Sequence, residues 1–158
     1  MKNALRSIAF ITLGALAGLA QAADDAKAIV EGYMAAWNAH DADQAGEFLA
    51  EDAEYLDVTV GTAQKGRAAA RDNVIKVFVG AIPDLKWEMT GAPIVSADGI
   101  AFQWVFSGTN SGAWSAETPA TGKPVKFEGV SFIRIRDGKI SYQGDYYDAL
   151  GFNKQLGW

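Results

Sequence analysis

The chain changes its hydrophobic period at Pro83, and that change limits the folds open to it. Upstream, apolar residues fall at three- and four-residue steps, the spacing that gathers them on one face of a helix. Ile29, Val30, Tyr33, Met34 and Trp37 mark a first helix over 24–38, with Asp24 and Asp25 at its positive N-terminal end. The run Asn38-Ala39-His40-Asp41 breaks it. A short second helix over 43–49 and a strand over 54–60, closed by Gly61, come next. A third helix over 67–81 sets Ala70, Val74, Val77, Phe78 and Ala81 on one side before Pro83-Asp84 stops it. Downstream, 85–95, 100–107, 124–136 and 139–147 are rich in aromatic and β-branched residues. Asp98-Gly99, Thr121-Gly122 and Asp137-Gly138 separate them, and Asp-Gly between strand-like runs signals a hairpin. Residues 149–158 predict a short closing helix. Helices first and an antiparallel meander second imply an α+β fold, with helices over one face of a curved sheet.

Residues 1–22 read as an export signal. Lys2 and Arg6 precede the apolar stretch Ile8 to Leu19, and Ala20-Gln21-Ala22 supplies a small-x-small cleavage site. The stretch is short for a bilayer crossing, which needs about 20 residues. Cleavage after Ala22 leaves 23–158 as one domain, with a periplasmic or secreted destination and no membrane attachment. Losing Lys2 and Arg6 leaves 12 basic against 19 acidic residues, a net charge of −7. Such a domain repels phosphate backbones and has no basic stripe, which excludes nucleic-acid binding.

The chain has no cysteine, so thiol chemistry, thiolate metal sites and disulfides are excluded. His40 is the single histidine, too few for a conventional zinc site, and no nucleophile-elbow motif accompanies it. Neither a metal nor a cofactor is expected.

The run Tyr33-Met-Ala-Ala-Trp-Asn-Ala-His-Asp41, followed by Ala50-Glu-Asp-Ala-Glu-Tyr-Leu-Asp57, resembles the nuclear transport factor 2-like superfamily. The N-terminal half looks like ketosteroid isomerase, whose first-helix tyrosine and first-strand aspartate match Tyr33 and Asp57. The C-terminal half looks more like SnoaL-like polyketide cyclases. Pro83-Asp84-Leu85, Pro119-Ala-Thr-Gly-Lys-Pro124, Asp137-Gly-Lys-Ile140 and Asp148-Ala-Leu-Gly with Gln155-Leu-Gly157 carry that likeness. The resemblance implies a cone of curved antiparallel sheet with three N-terminal helices packed over it, a ligand cavity inside, and a homodimer.

It also implies roles. Asp57, on one strand face with Tyr55 and Thr59, would be a general base for a proton next to a carbonyl; as a plain strand residue it would be solvated or hydrogen-bonded to a loop. Tyr33 would stabilise the charge developing on the carbonyl oxygen, or serve as core. Ser131 stands where ketosteroid isomerase has a protonated acid and where SnoaL-like cyclases have a histidine, so it departs from both. Asp145 matches the cyclases' catalytic aspartate, and Gln143, Asp145 and Tyr147 alternate onto one face. Were Asp57 and Asp145 to share a pocket, repulsion would raise the pKa of one. Trp37, Phe102, Trp104, Phe106, Gln143 and Tyr147 are the candidate substrate wall. Asp148 reads as a cap, His40 as a turn residue, and Arg134 and Arg136 as outer-face residues. Trp114, in a loop rich in Ser, Ala and Thr and expected to move, would gate the mouth. Val130, Phe132, Tyr142 and Tyr146 would form the outer face that pairs two copies. The implied activity is cofactor-free isomerisation or cyclisation of a small hydrophobic carbonyl compound. The alternative is an exported carrier that binds such a ligand without turning it over.

Overall fold

The computed structural model describes residues 23–96 and 98–158, so the export signal expected over 1–22 lies outside the described residues. Helix α1 occupies 23–38 and buries Ala26, Val30, Tyr33, Met34, Ala36 and Trp37 along one stripe. It ends at His40, whose φ of 59° places it in the left-handed region that often succeeds a helix. The half-buried ring of His40 sits 3.1 Å from the Leu85 carbonyl, and Asn38 exchanges two 2.8 Å hydrogen bonds with the Trp87 backbone. These contacts tie the helix end to the start of the sheet. Asp41 then caps α2 (Ala42–Glu47) by accepting from Gln44 N at 2.9 Å.

Strand β1 (Leu49–Asp57) starts five residues earlier and ends three earlier than its hydrophobic pattern suggested. The pairing shifts register between Leu49 and Glu54, so Leu49, Ala50 and Ala53 are all buried while Glu51 and Asp52 face out. This irregularity interrupts the two-residue alternation that identifies a strand. At the other end Asp57 accepts from the backbone of Thr59 and Val60, which turns the chain at 58–60. A short β2 (Gln64–Lys65) pairs with β1.

The third helix is not continuous. It runs as α3 (Arg67–Ala70), a π-helical turn (Arg71–Ile75) and α4 (Lys76–Ala81). The wider turn changes which residues face inward, so Ile75 is buried where a regular helix would have put Val77 inside.

Strands β3 (Lys86–Ser96), β4 (Gly99–Thr109), β5 (Pro124–Arg136) and β6 (Lys139–Tyr147) complete a six-stranded sheet ordered β2-β1-β6-β5-β4-β3. The sheet is mixed: β1 and β6 pair in parallel, and every other pair is antiparallel. No tight turn joins β1 to β6, so nothing local imposes an antiparallel direction. Asp137 and Gly138, at φ 52° and 73°, form the tight β5–β6 turn as expected. Thr121-Gly122 instead belongs to an anchored loop. The buried Asn110 side chain donates to the Ala81 and Gly112 carbonyls and accepts from Thr121, holding 110–123 against the end of α4. Four hydrogen bonds to one buried side chain hold the two ends of this loop.

Helix α5 (Ala149–Leu156), capped by Asp148 as expected, buries Phe152 and Leu156, with the Phe152 ring against Phe127 and Tyr147. Among the described residues no helix is long and apolar enough to cross a membrane.

Candidate active site

Cross-strand register brings the polar residues together. Asp57, Asp145, Ser131 and Phe102 lie side by side across β1, β6, β5 and β4. Tyr55 pairs with Gln143 two residues to one side, and Tyr147, Gly129 and Trp104 align on the other. All of these alternate onto the sheet face under the helices.

Asp145 sits at the centre and is 5% exposed. Ser131 donates to its Oδ1 at 2.5 Å, while Tyr55 and Gln143 donate to its Oδ2 at 2.6 and 2.9 Å. Trp104 Nε1 in turn donates to Ser131 Oγ at 2.8 Å, which orients the serine hydroxyl toward the carboxylate. The indole can lie there because its cross-strand neighbour is Gly129; a Cβ at that position would overlap the six-membered ring. Burial pushes the Asp145 carboxyl up to about 7. The nearby negative charge of Asp57 adds to this, and the hydrogen bonds from Ser131, Tyr55 and Gln143 pull the other way.

Asp57 is equally buried but differently held. Its Oδ1 accepts from Thr59 N at 2.8 Å, Thr59 Oγ1 at 2.5 Å and Val60 N at 3.2 Å. Tyr147 Oη reaches both oxygens, at 3.0 and 3.1 Å, and lies 2.7 Å from Thr59 Oγ1. Burial raises the phenols of Tyr55 and Tyr147 well above the ordinary tyrosine range, and the adjoining carboxylates reinforce this, so both stay protonated donors.

These groups border a small inner cavity of about 20 Å³, room for roughly one water molecule. Trp37, Tyr55, Asp57, Phe78, Trp87, Trp104, Phe106, Phe127, Asp145 and Tyr147 line it. A second hollow of about 290 Å³ lies outside, lined by Thr59, Val60, Val77, Phe78, Trp114, Thr118, Phe152, Asn153 and Trp158. Phe78 belongs to both, and its ring packs edge-on against Trp114 at 5.2 Å and against Phe106 at 5.9 Å. A larger hollow of about 520 Å³ on the outer sheet face includes Phe132, Arg134, Tyr142 and Tyr146. It contains neither of the buried carboxylates, so size alone does not locate the chemistry.

Of the residues singled out from sequence, Asp57, Asp145, Trp37, Trp104, Phe106 and Tyr147 border the inner cavity. Ser131 and Gln143 stand behind Asp145 as its donors and do not line the space. Phe102 does not line it either; its ring packs against Trp87 at 6.0 Å. Tyr33 is fully buried behind Trp37 and Trp87, 6.2 and 5.9 Å from their rings, and is not part of the cavity wall. On the outer face Arg134 stacks over Tyr142 at 5.6 Å and Arg136 pairs with Asp52. Sequence reasoning passes over Tyr55, Phe78, Trp87, Phe127 and Gly129 as site residues. Tyr55 is detectable, since it precedes Asp57 by two residues and so shares its strand face. Phe78 reads as helix core, and nothing local signals that it also walls the cavity.

The SnoaL-like domain model matches residues 30–143. No curated protein sequence matches the chain. Among solved structures, a proposed SnoaL-like polyketide cyclase from Jannaschia superposes with TM-score 0.73 at 16% identity, covering 84% of this chain and 92% of its own. IdmH, a proposed polyketide cyclase from Streptomyces antibioticus, gives 0.67 at 25% identity over 84% and 98% of the two chains. A protein of ketosteroid isomerase-like fold from Catenulispora acidiphila, solved with trimethylamine, gives 0.67 at 22% identity over 82% and 92%. The curled mixed sheet with helices over one face is the fold these structures share.

Proposed function

The chain belongs to the SnoaL-like family, and from that premise we propose that it is a cofactor-independent isomerase or cyclase acting next to the carbonyl of a small apolar compound. One observation carries this reading: a buried carboxyl with a pKa raised to about 7, bordering an aromatic cavity. A general base works best when its pKa lies near the working pH, because it is then both ionised and basic. Asp145 takes the proton from the carbon beside the carbonyl. The C–H electron pair becomes a C=C bond, and the carbonyl π pair moves onto oxygen. Where a β,γ double bond is present the product is a dienolate, and Asp145 returns the proton to its γ carbon, which moves the double bond; where a second carbonyl is present the enolate carbon attacks it and closes a ring, and the π pair of that carbonyl moves onto its oxygen, which takes the proton from Asp145. Asp57 keeps Asp145 basic through its charge, while Ser131, Tyr55 and Gln143 fix the orientation of the carboxylate.

A carbonyl compound needs more room than one water, so rings must yield on binding. Phe78 is the side chain whose displacement joins the inner cavity to the outer hollow. The π-helical turn ends three residues before it, and such turns recur at functional sites.

The test is exchange of the α-protons of 2-indanone for deuterium in D₂O, monitored by proton NMR. Catalysed exchange by the wild-type protein that disappears in Asp145→Asn supports the reading. Exchange at the uncatalysed rate with the wild type, or undiminished exchange with Asp145→Asn, removes it.

A non-catalytic carrier is the second reading. It is favoured by the three donors already engaging Asp145, which leave little of the carboxylate free. Native mass spectrometry separates the two, because a carrier releases its ligand unchanged. We further propose export with cleavage after Ala22, and pairing of two copies through the outer sheet face. There Phe132 and Tyr146 stay 50% and 39% exposed with ring centroids 5.9 Å apart. Light scattering on a sizing column measures the pairing directly.

A further inference from the structure

Ser131 is completely buried, and its hydroxyl has one donor and one acceptor beside it. Trp104 Nε1 donates to Ser131 Oγ at 2.8 Å, and Ser131 Oγ donates to Asp145 Oδ1 at 2.5 Å. An indole N–H only donates and an ionised carboxylate only accepts, so the chain of hydrogen bonds runs one way. The serine oxygen accepts from the indole, and the serine hydrogen points at Asp145. At 0% exposure, water does not compete for either position. Hydrogen bonds in such a chain polarise one another, so a serine that accepts from Trp104 is a stronger donor to Asp145.

Counting donors around the carboxylate singles out one atom. Its two oxygens offer about four acceptor positions between them. Tyr55 Oη and Gln143 Nε2 both donate to Oδ2, at 2.6 and 2.9 Å, whereas Ser131 donates to Oδ1. A proton arriving on Oδ2 would displace one of two buried donors and leave it unpaired, which is costly in a dry interior. A proton arriving on Oδ1 keeps all three hydrogen bonds, because the oxygen of an acid hydroxyl still accepts. Asp145 borders the inner cavity, while Ser131 and Gln143 stand behind it.

We propose that Oδ1 of Asp145 is the atom that receives the substrate proton, and that Trp104 is a positioning residue which, through Ser131, holds the one open position of that atom toward the cavity. This rests on the proposed proton abstraction by Asp145 and adds the accepting atom and the residue that aims it. Trp104 also lines the cavity, so a single side chain walls the substrate space and orients the base. Gly129 belongs to the same device, because a Cβ there would overlap the indole that reaches Ser131. The titratable groups that act on or feel this carboxyl are Asp57 and Tyr55 of β1, Tyr147 of β6 and Tyr33 of α1. Burial keeps the three phenols protonated, and Asp145→Asn is the control that assigns a titration near neutral pH to Asp145.

The indole N–H resonance of Trp104, assigned by triple-resonance NMR, reads the relay without any turnover. In the wild type it should shift with a midpoint at about 7. The shift should vanish in Asp145→Asn and in Ser131→Ala, which cuts the link and keeps the indole. A resonance that ignores pH in the wild type, or titrates as fully in Ser131→Ala, overturns the relay. Exchange of 2-indanone supplies the second readout. Ser131→Ala should lower kcat by about tenfold, the order of one hydrogen bond to a charged group, with KM little changed. Its pH–rate midpoint should move upward, because the lost bond favours the ionised form. Trp104→Phe should move the midpoint the same way by less, and the double variant should share the midpoint of Ser131→Ala. A midpoint unmoved by Trp104→Phe, or moved further in the double variant, overturns the positioning role. Neutron diffraction at pH 5 locates the acid proton: Oδ1 is expected, and a proton on Oδ2 overturns the choice of atom. Should Trp104→Phe not fold, the spectra of the wild type and Ser131→Ala decide the relay. If Asp145→Asn exchanges 2-indanone as fast as the wild type, the proposed function is what fails, and the indole titration registers that separately.

Discussion

Asp57 and Asp145 are direct neighbours across the parallel β1–β6 pair, and both are buried, yet the molecule holds them in opposite ways. Asp57 lies where β1 ends. Two backbone N–H groups and two hydroxyls surround it because the chain turns around its carboxylate at 58–60. Asp145 lies in the middle of the inner sheet face. Its donors are all side chains, held on β1, β5 and its own strand, and apolar rings surround them. A turn supplies fixed dipoles that stabilise charge; a strand interior supplies only what neighbouring side chains present. Two aspartates one strand apart are thereby divided into an anchored anion and a poised base.

The largest effect is expected for Asp145→Asn. It should cost on the order of 10²–10⁴-fold in exchange rate, the usual worth of a positioned base, whereas Asp57→Asn, which keeps an Oδ1 acceptor for the turn, should cost far less. Equal losses in the two would erase the division.

The pH dependence sharpens it. Activity of the wild type should rise as pH rises through about 7 and level off above, since the working form of Asp145 is ionised. Stability should move the opposite way. The folded carboxyl titrates at about 7 and the unfolded one near 3.8, so between these values the folded state binds more protons and unfolding free energy falls as pH rises. Denaturant titrations at pH 5 and pH 8 should show the wild type losing stability on the order of a few kcal/mol, and Asp145→Asn losing much less.

A smaller effect tests the link between the two acids. Asp57→Asn removes the charge that raises Asp145, so the midpoint of its pH–rate curve should move to lower pH. Tyr55→Phe removes a hydrogen bond that favours the ionised form, so its midpoint should move to higher pH, with peak rate within about tenfold of the wild type. Shifts of the same sign in both variants would contradict the assigned causes.

Legibility in the sequence depends on where the information lies. The α+β order, the Asp137-Gly138 turn and the Asp148 cap are local, and their residues announce them. The start of β1 is hidden because a register shift breaks the alternation at Ala50 to Ala53. The third helix reads as continuous because a π-helical turn has no clear residue signature, and the inward position of Ile75 is lost with it. In the site, strand alternation correctly puts Gln143, Asp145 and Tyr147 on one face. Helical spacing also places Tyr33 inward, but inward here means behind Trp37 and Trp87 rather than against the cavity.

The passage from helices to strands after Pro83 and the inward faces of the regular elements are written in the residues themselves, because period and turn chemistry act over a few residues. Packing in three dimensions alone sets which of the two buried aspartates is held by a turn and which by side chains, and how little space the rings leave. Those properties depend on contacts such as Tyr55 to Asp145, 90 residues apart, and on a glycine under Trp104. Burial and electrostatic coupling are sums over neighbours in space, and periodicity along the chain does not carry them.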